Sequence, residues 1–366
     1  MNKTLIALAV SAGLAMPGLA SAVEVAGKAL QVYGQVHVSV DSATTHDSTG
    51  ASVSKLNVSS NSSRLGFKGE GALNGGLTGF YKIEGKIKAA DASGSSIDGR
   101  AAYVGLKGTG GSLMLGFRDT IYKDTFKMFD VMGNSVGDSR NILGAVSNGD
   151  GDIFDTRSKN GIYYYSPKMG GFKLGLGYST AFKGDSIASQ NNNNNSLTDA
   201  VLAYSANGLS LAAGYEQQKI IGASSTNNES TQTITGTRLV GGYKTGPMDI
   251  RLVYEHITNS GVDQVAADNR NAYGAAFVYK VGGPGSVILQ YMKAATSDAG
   301  NDGANQVTVG YAYKLAKNAK AYIMYDKVSN DPNANFNIKA GHDLGYKNSV
   351  AGKDVSAISI GYVYKF

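Results

Sequence analysis

Cysteine and tryptophan are absent from these 366 residues, and only 5 are proline. Without cysteine there is neither a disulfide framework nor a thiolate for catalysis or metal binding. Long apolar runs are nearly as scarce. One, from Leu5 to Leu14, follows Lys3, breaks at Pro17 and Gly18, and ends in the small residues Ala20, Ser21 and Ala22. That is the layout of a secretory leader, with cleavage expected after Ala22. It is too short to span a bilayer as a helix, and no later segment approaches the roughly 20 consecutive apolar residues a membrane helix needs. Residues 1–22 are thus expected to be removed on export, leaving 23–366 as one domain without a helical anchor. Metal-ligand spacing is missing too, since His37, His46, His256 and His342 are scattered. No phosphate-cradling Gly-Lys-Ser/Thr loop and no basic-aromatic nucleic-acid module occurs, so nucleotide and nucleic-acid functions are set aside. No cofactor is expected.

The chain is instead rich in glycine (49) and tyrosine (22), which suits many strands with tight turns and aromatic edges. Its mean hydropathy is close to neutral, as it must be if side chains alternate between lipid and water. The alternation is plainest at the end, where Ile358, Ile360, Tyr362, Tyr364 and Phe366 share one face and Ala357, Ser359, Gly361, Val363 and Lys365 the other. At the mature start, Leu30, Val32, Val36, Val38 and Val40 alternate with Gln31, Tyr33, Gln35, His37 and Ser39. First and last strands can therefore pair and close a ring.

Fourteen further segments fit between them, at 64–70, 79–88, 100–107, 112–118, 161–166, 172–179, 198–205, 210–217, 237–243, 249–257, 271–279, 286–293, 306–315 and 320–328. Their connections alternate in length. Short ones such as Gly108 to Gly111, Ala206 to Gly208 and Ala316 to Ala319 carry turn residues. Between them fall long polar stretches, including Asp41 to Ser52, Asp119 to Thr156 and the loop holding the run Asn191 to Asn195. The expected fold is all-β: a transmembrane antiparallel barrel of about 16 strands, with short turns on the periplasmic side and long extracellular loops.

A closed barrel leaves no unpaired backbone edge in lipid, and one of this strand number encloses water. Lys82, Glu84, Lys86 and Lys88 fall on the inward parity of the third strand. The loop 119–156 is too long for mere connection. Folded into the lumen, it is expected to narrow the bore and set acids, chiefly Asp130 and Asp138, against basic wall residues. The formal charge of +6 fits a bore that favours anions.

Ser63-Arg64-Leu65-Gly66-Phe67-Lys68-Gly69-Glu70, Arg100-Ala101-Ala102-Tyr103-Val104-Gly105-Leu106-Lys107-Gly108, Leu115-Gly116-Phe117-Arg118 and Arg157-Ser158-Lys159-Asn160-Gly161-Ile162-Tyr163-Tyr164-Tyr165-Ser166-Pro167 together resemble the Gram-negative general porins. Those are trimeric sixteen-stranded diffusion channels, and the resemblance covers essentially the whole mature chain. It implies a basic ladder of Arg64, Arg100 and Arg157, with Lys82 beside it, at a constriction. It also implies a homotrimer in outer-membrane lipid, and Phe366 as the residue read by the barrel assembly machinery. Relatives often carry an arginine directly after the glycine of the fifth strand; here Phe117 stands there, and Arg118 is set aside from the pore.

The function this implies is passive diffusion of small hydrophilic solutes and ions, with anions preferred. A substrate-specific anion or sugar channel on the same scaffold is the alternative. An outer-membrane barrel enzyme would need a paired base and nucleophile, and neither the scattered histidines nor Gly137-Asp138-Ser139-Arg140 supplies one.

Overall fold

The computed structural model describes residues 23–90, 97–145, 154–182, 195–221, 231–261, 269–298, 300–340, 342 and 350–366. The expected leader and most of the asparagine run lie outside them. The strands begin with β1 (Val23–Glu24), β2 (Gln31–His46), β3 (Ser52–Ser60), β4 (Arg64–Ala72), β5 (Thr78–Ile87), β6 (Ile97–Gly108) and β7 (Gly111–Asp119). After a long loop come β8 (Arg157–Tyr165), β9 (Phe172–Thr180), β10 (Ser196–Ala206), β11 (Leu209–Ile221), β12 (Thr231–Thr245) and β13 (Met248–Gly261). The series ends with β14 (Arg270–Lys280), β15 (Gly285–Ala294), β16 (Ala304–Ala316), β17 (Ala319–Asn330) and β18 (Val355–Lys365).

From β2 onward every strand pairs antiparallel with its sequence neighbours, except that β3 and β4 do not pair with each other, and β18 returns to β2 in the register Tyr362↔Val38. Both β3 and β4 pair with β2 and form one stave broken at Asn61–Ser63, where Ser62 has φ 55°. Counting that stave once, the barrel is a closed ring of 16. The stretch 52–60, which the sequence reading left unassigned, is the upper half of this stave. Strand ends also reach further than expected at the long-loop side: β2 runs to His46 and leaves only 47–51 as its loop.

The short connections cluster at one rim and match the expected turns. At the tip of the β10–β11 hairpin, Asn207 and Gly208 both take positive φ, 51° and 81°, the geometry whose twist matches the flanking strands.

Outward positions carry the apolar belt, with Leu56, Ile83, Val104 and Ile360 more than half exposed on the isolated chain. Inward positions carry Gln35, His37, Ser39, Asp41, Glu84, Glu216 and Gln290, all buried in the lumen. Several inward glycines serve as seats for aromatic rings, three from the neighbouring strand and one, Tyr163, from two residues along the same strand. Tyr33 lies over Gly66, Phe80 over Gly105, Tyr163 over Gly161 and Tyr322 over Gly361, each where a Cβ would collide with the ring. On the outer face, Phe366 covers Gly34 and exchanges backbone hydrogen bonds with it, 2.8 and 3.1 Å. The C-terminal residue thus helps zip the closing seam.

Candidate functional site

In its described residues, 120–145 and 154–156, the connection between β7 and β8 folds into the lumen. It opens with helix α1 (Lys123–Phe129) and continues through a 3-10 turn at Ser139–Asn141. Its apolar side chains, among them Phe129, Met132, Val136, Ile142 and Leu143, pack on inward residues Val240, Val253, Ile288, Met292 and Met324 of the far wall. Glycines make room for it. A Cβ at Gly175 would meet Ile121 at 2.7 Å, one at Gly214 would meet Thr125 at 2.8 Å, and one at Gly236 would meet Phe154 at 2.8 Å.

Polar latches fix the loop in this seat. Arg238 of β12 donates to both oxygens of Asp155, at 2.7 and 2.6 Å, and to Glu255 through Nε at 2.7 Å. Glu255 also accepts from the Tyr122 hydroxyl at 3.0 Å and the Gly144 amide at 2.7 Å. Asp199 receives the backbone amides of Ile121 and Tyr122 at the loop's entry. Arg251 caps α1 from the wall, its Nη1 donating to the carbonyls of Met128, Phe129 and Asp130 at 3.1, 3.2 and 2.9 Å. That placement also sets a cation at the negative end of the helix dipole.

The loop leaves an eyelet against the opposite wall, a cavity of about 640 Å³. Arg64 of β4, Lys82 and Lys86 of β5, Arg100 of β6 and Arg157 of β8 line it from the wall, and Lys123, Lys127 and Arg140 from the loop. The facing acids are Glu84, Asp119, Asp130 and Asp155, so cations outnumber acids eight to four. Adjacent cavities toward the short turns share Lys82, Arg64 and Asp130 with it.

Two carboxylates organise the ladder. Glu84 lies 3.0 Å from Arg100 Nε, 3.1 Å from Lys82 Nζ and 3.9 Å from Arg64 Nε, and accepts from the Tyr33 hydroxyl at 2.8 Å. Asp119 lies 3.2 Å from both Lys123 and Lys127 and 3.3 Å from Arg157. Each acid shares itself among three cations, which holds the side chains apart without cancelling their charge.

The four expected wall residues, Arg64, Lys82, Arg100 and Arg157, and the loop acid Asp130 therefore meet at one cavity. Asp138 does not. It is fully buried in the loop, accepting from the amides of Asn134 (2.7 Å) and Arg140 (2.9 Å) and from the Arg140 guanidinium (3.0 and 2.6 Å). What it does is aim Arg140, stacked 4.7 Å over Phe126, into the bore. The loop acids Asp130 and Asp155 do face the basic wall, but the loop also presents Lys123, Lys127 and Arg140, so it is not the purely acidic face that was expected. Burial, and then the neighbouring Asp138 charge, pushes the Asp130 carboxyl up to about 7. Burial pulls Lys123 down to about 8, with Asp119 opposing the shift.

Arg118, set aside from the sequence, faces inward. Leu113 and Leu115 point to lipid, so Met114 and Arg118 share the lumen face. Its guanidinium sits 5.0 Å from the Tyr163 ring and 5.3 Å from that of Tyr165. Asp119, Lys123, Lys127 and Arg140 were not singled out for the site, and Glu84 was placed only on the inward parity of its strand. The Asp119/Lys123/Lys127 spacing is the signal that was available, one acid with two lysines at successive helical turns.

A closed sixteen-stave ring with an inward-folded third loop and a charged eyelet meets an independent finding. The family model for the Gram-negative porin matches residues 5–334. This chain belongs to the Gram-negative porin family. The porin is 30% identical to outer membrane porin protein 32 of Delftia acidovorans over 88% of each chain. It is 29% identical to a monosaccharide porin of a Halomonas species, over 86% of this chain and 92% of the relative. Among solved structures, an anion-selective porin from Comamonas acidovorans superposes with a TM-score of 0.76 at 26% identity, covering 92% of this chain and 99% of that one. This porin resides in the outer membrane of a Gram-negative bacterium and forms a water-filled channel for diffusion of small hydrophilic solutes.

Proposed function

We propose that this porin passes small anions in preference to cations, without tight binding, at an eyelet formed by Arg64, Lys82, Arg100 and Arg157 of the wall and Arg140 of the third loop. The observation that carries this is the eight-to-four excess of cations around one cavity. Low-dielectric walls focus such an excess and raise the local concentration of the opposite charge. The anion-selective porin with which it superposes at 26% identity points the same way. In planar bilayers under a KCl gradient, the reversal potential should take the anion-favouring sign; a cation-favouring sign would refute the reading.

A monosaccharide channel is the second reading, suggested by the Halomonas relative. Saturable block of ion current by hexoses would favour it. Against a barrel enzyme, the His37 ring is buried with its Nε2 2.8 Å from the Tyr322 hydroxyl, and His256 Nδ1 lies 2.8 Å from Asn271. The proposal extends to a homotrimer with β2 and β18 near the seam, and to Phe366 as the mark read by the assembly machinery. A heat-modifiable trimer band on gels, weakened by Phe366→Ala, is expected.

A further inference from the structure

Toward the short turns from the eyelet, Lys68, Phe80, Tyr103, Lys107, Met114 and Arg118 line a second cavity of about 510 Å³. That lies within the roughly 300–1,000 Å³ usual for small-molecule sites. Its wall interleaves cations with aromatic rings. Lys68 Nζ sits 5.4 Å from the Tyr33 centroid, Lys107 Nζ 5.9 Å from that of Phe80, and Arg118 6.0 Å from that of Tyr103. Phe80 and Tyr103 meet edge to face, 6.5 Å apart at 82°. Phe80 can lie flat on the barrel wall because Gly105 beneath it has no side chain.

A ring face attracts a cation through its quadrupole but does not neutralise it. Among the described residues, neither Lys68 nor Arg118 has a carboxylate oxygen within 4.0 Å. Lys68 is thus open to an anion in the cavity, Arg118 is held in the wall with its Nη2 3.0 Å from the Tyr165 hydroxyl, and the lining acid Glu70 is taken up by Lys107. Beside these cations stand the rings of Phe80 and Tyr103, set at 82° to each other, and aromatic pairs in such geometry gain stability beyond the area they bury. Chloride or acetate uses the charge alone. A neutral sugar would leave the charge here unused, whereas an anion answers the five cationic side chains that stand against one acid, Glu70, among the described lining residues.

We propose that this alcove is a binding site for small aromatic carboxylates, the carboxylate held by Arg118 and Lys68 and the ring packed against Phe80 and Tyr103. The proposal rests on the anion-preferring reading and narrows it to a solute class. Single channels in KCl, titrated with benzoate, cyclohexanecarboxylate, acetate and glucuronate, test it. Benzoate is expected to interrupt the current at concentrations about tenfold below acetate and about threefold below cyclohexanecarboxylate, the last margin reflecting ring–ring contact. Phe80→Leu and Tyr103→Leu should each raise the benzoate concentration needed by about threefold or more. Lys68→Gln, which leaves every ring in place, should weaken block by benzoate and by cyclohexanecarboxylate alike. Equal block by acetate and benzoate, block by glucuronate as strong as by benzoate, or block unaltered in both ring variants would overturn the proposal. The KCl reversal potential of the same channels separates the two ideas: anion-favouring channels without benzoate block refute the alcove alone, cation-favouring ones the reading beneath it.

Discussion

The two halves of the inner wall obey the same alternation and serve opposite purposes. From β4 to β8 the inward positions hold Arg64, Lys82, Glu84, Arg100 and Arg157, open to the bore. From β9 to β17 they hold small or apolar residues such as Gly175, Gly214, Val253 and Met324, with the third loop laid over them. Wall acids are present on this covered half, but Asp199, Glu216, Glu255 and Asp326 are all buried. The field across the eyelet thus arises from half-buried wall cations on one side and loop cations on the other, tempered by Glu84 and Asp119, while the acids of the covered half are withdrawn behind the loop. A lumen-facing pattern tells which side of the sheet a residue occupies, not whether that side is wet.

The latch is the most direct place to break this contrast. Arg238→Met strands Asp155 and Glu255, and removing one partner of a buried ion pair typically costs about 3–5 kcal/mol. The loop should leave the wall, lowering thermal stability and raising single-channel conductance. A conductance equal to wild type would mean that the loop is held by something else. Next, Gly236→Leu drives a side chain into Phe154; overpacking of this kind costs about 1–3 kcal/mol, and conductance should again rise, whereas Gly71→Ala, with nothing within 4 Å, should alter neither property.

On the open half, Arg64→Gln with Arg100→Gln removes two eyelet cations. A unit charge acting at about 4 Å is worth about 1 kcal/mol even in bulk water, so the anion-to-cation permeability ratio should fall at least severalfold. The smallest expected effect concerns Asp130. Its carboxyl, pushed up to about 7 by burial and by Asp138, is neutral below that pH and adds a negative charge to the eyelet above it. Anion preference should therefore decline as pH rises through 7, and Asp130→Asn should flatten that portion of the profile.

Much of the barrel was legible because period two is a strong local signal. All sixteen staves, their closure through β2 and β18, and the short-turn rim follow from it. The break at Ser62 was not, since serines at 59, 60, 62 and 63 carry no apolar alternation, and Ser62's positive φ has no marker in its residue type. The wall arginines were placed by the resemblance to the general porins, Arg157 lying outside the segment expected at 161–166. The loop could not be placed, because its geometry is set by non-local contacts: Asp138 turns inward to its own Arg140, and Arg140 outward, for reasons seen only once Phe126 lies beside them. Arg118 was misplaced by following the family's spacing instead of its own strand, where Leu113 and Leu115 fix the lipid face.

In the proposed anion channel, cations on both the wall and the loop set the eyelet's selectivity. A salt-gradient reversal potential of wild type beside an Arg64→Gln/Arg100→Gln/Arg140→Gln variant tests it most directly. The expected result is an anion-favouring potential that collapses toward zero in the variant. Identical potentials for the two, or a cation-favouring wild type, would contradict it.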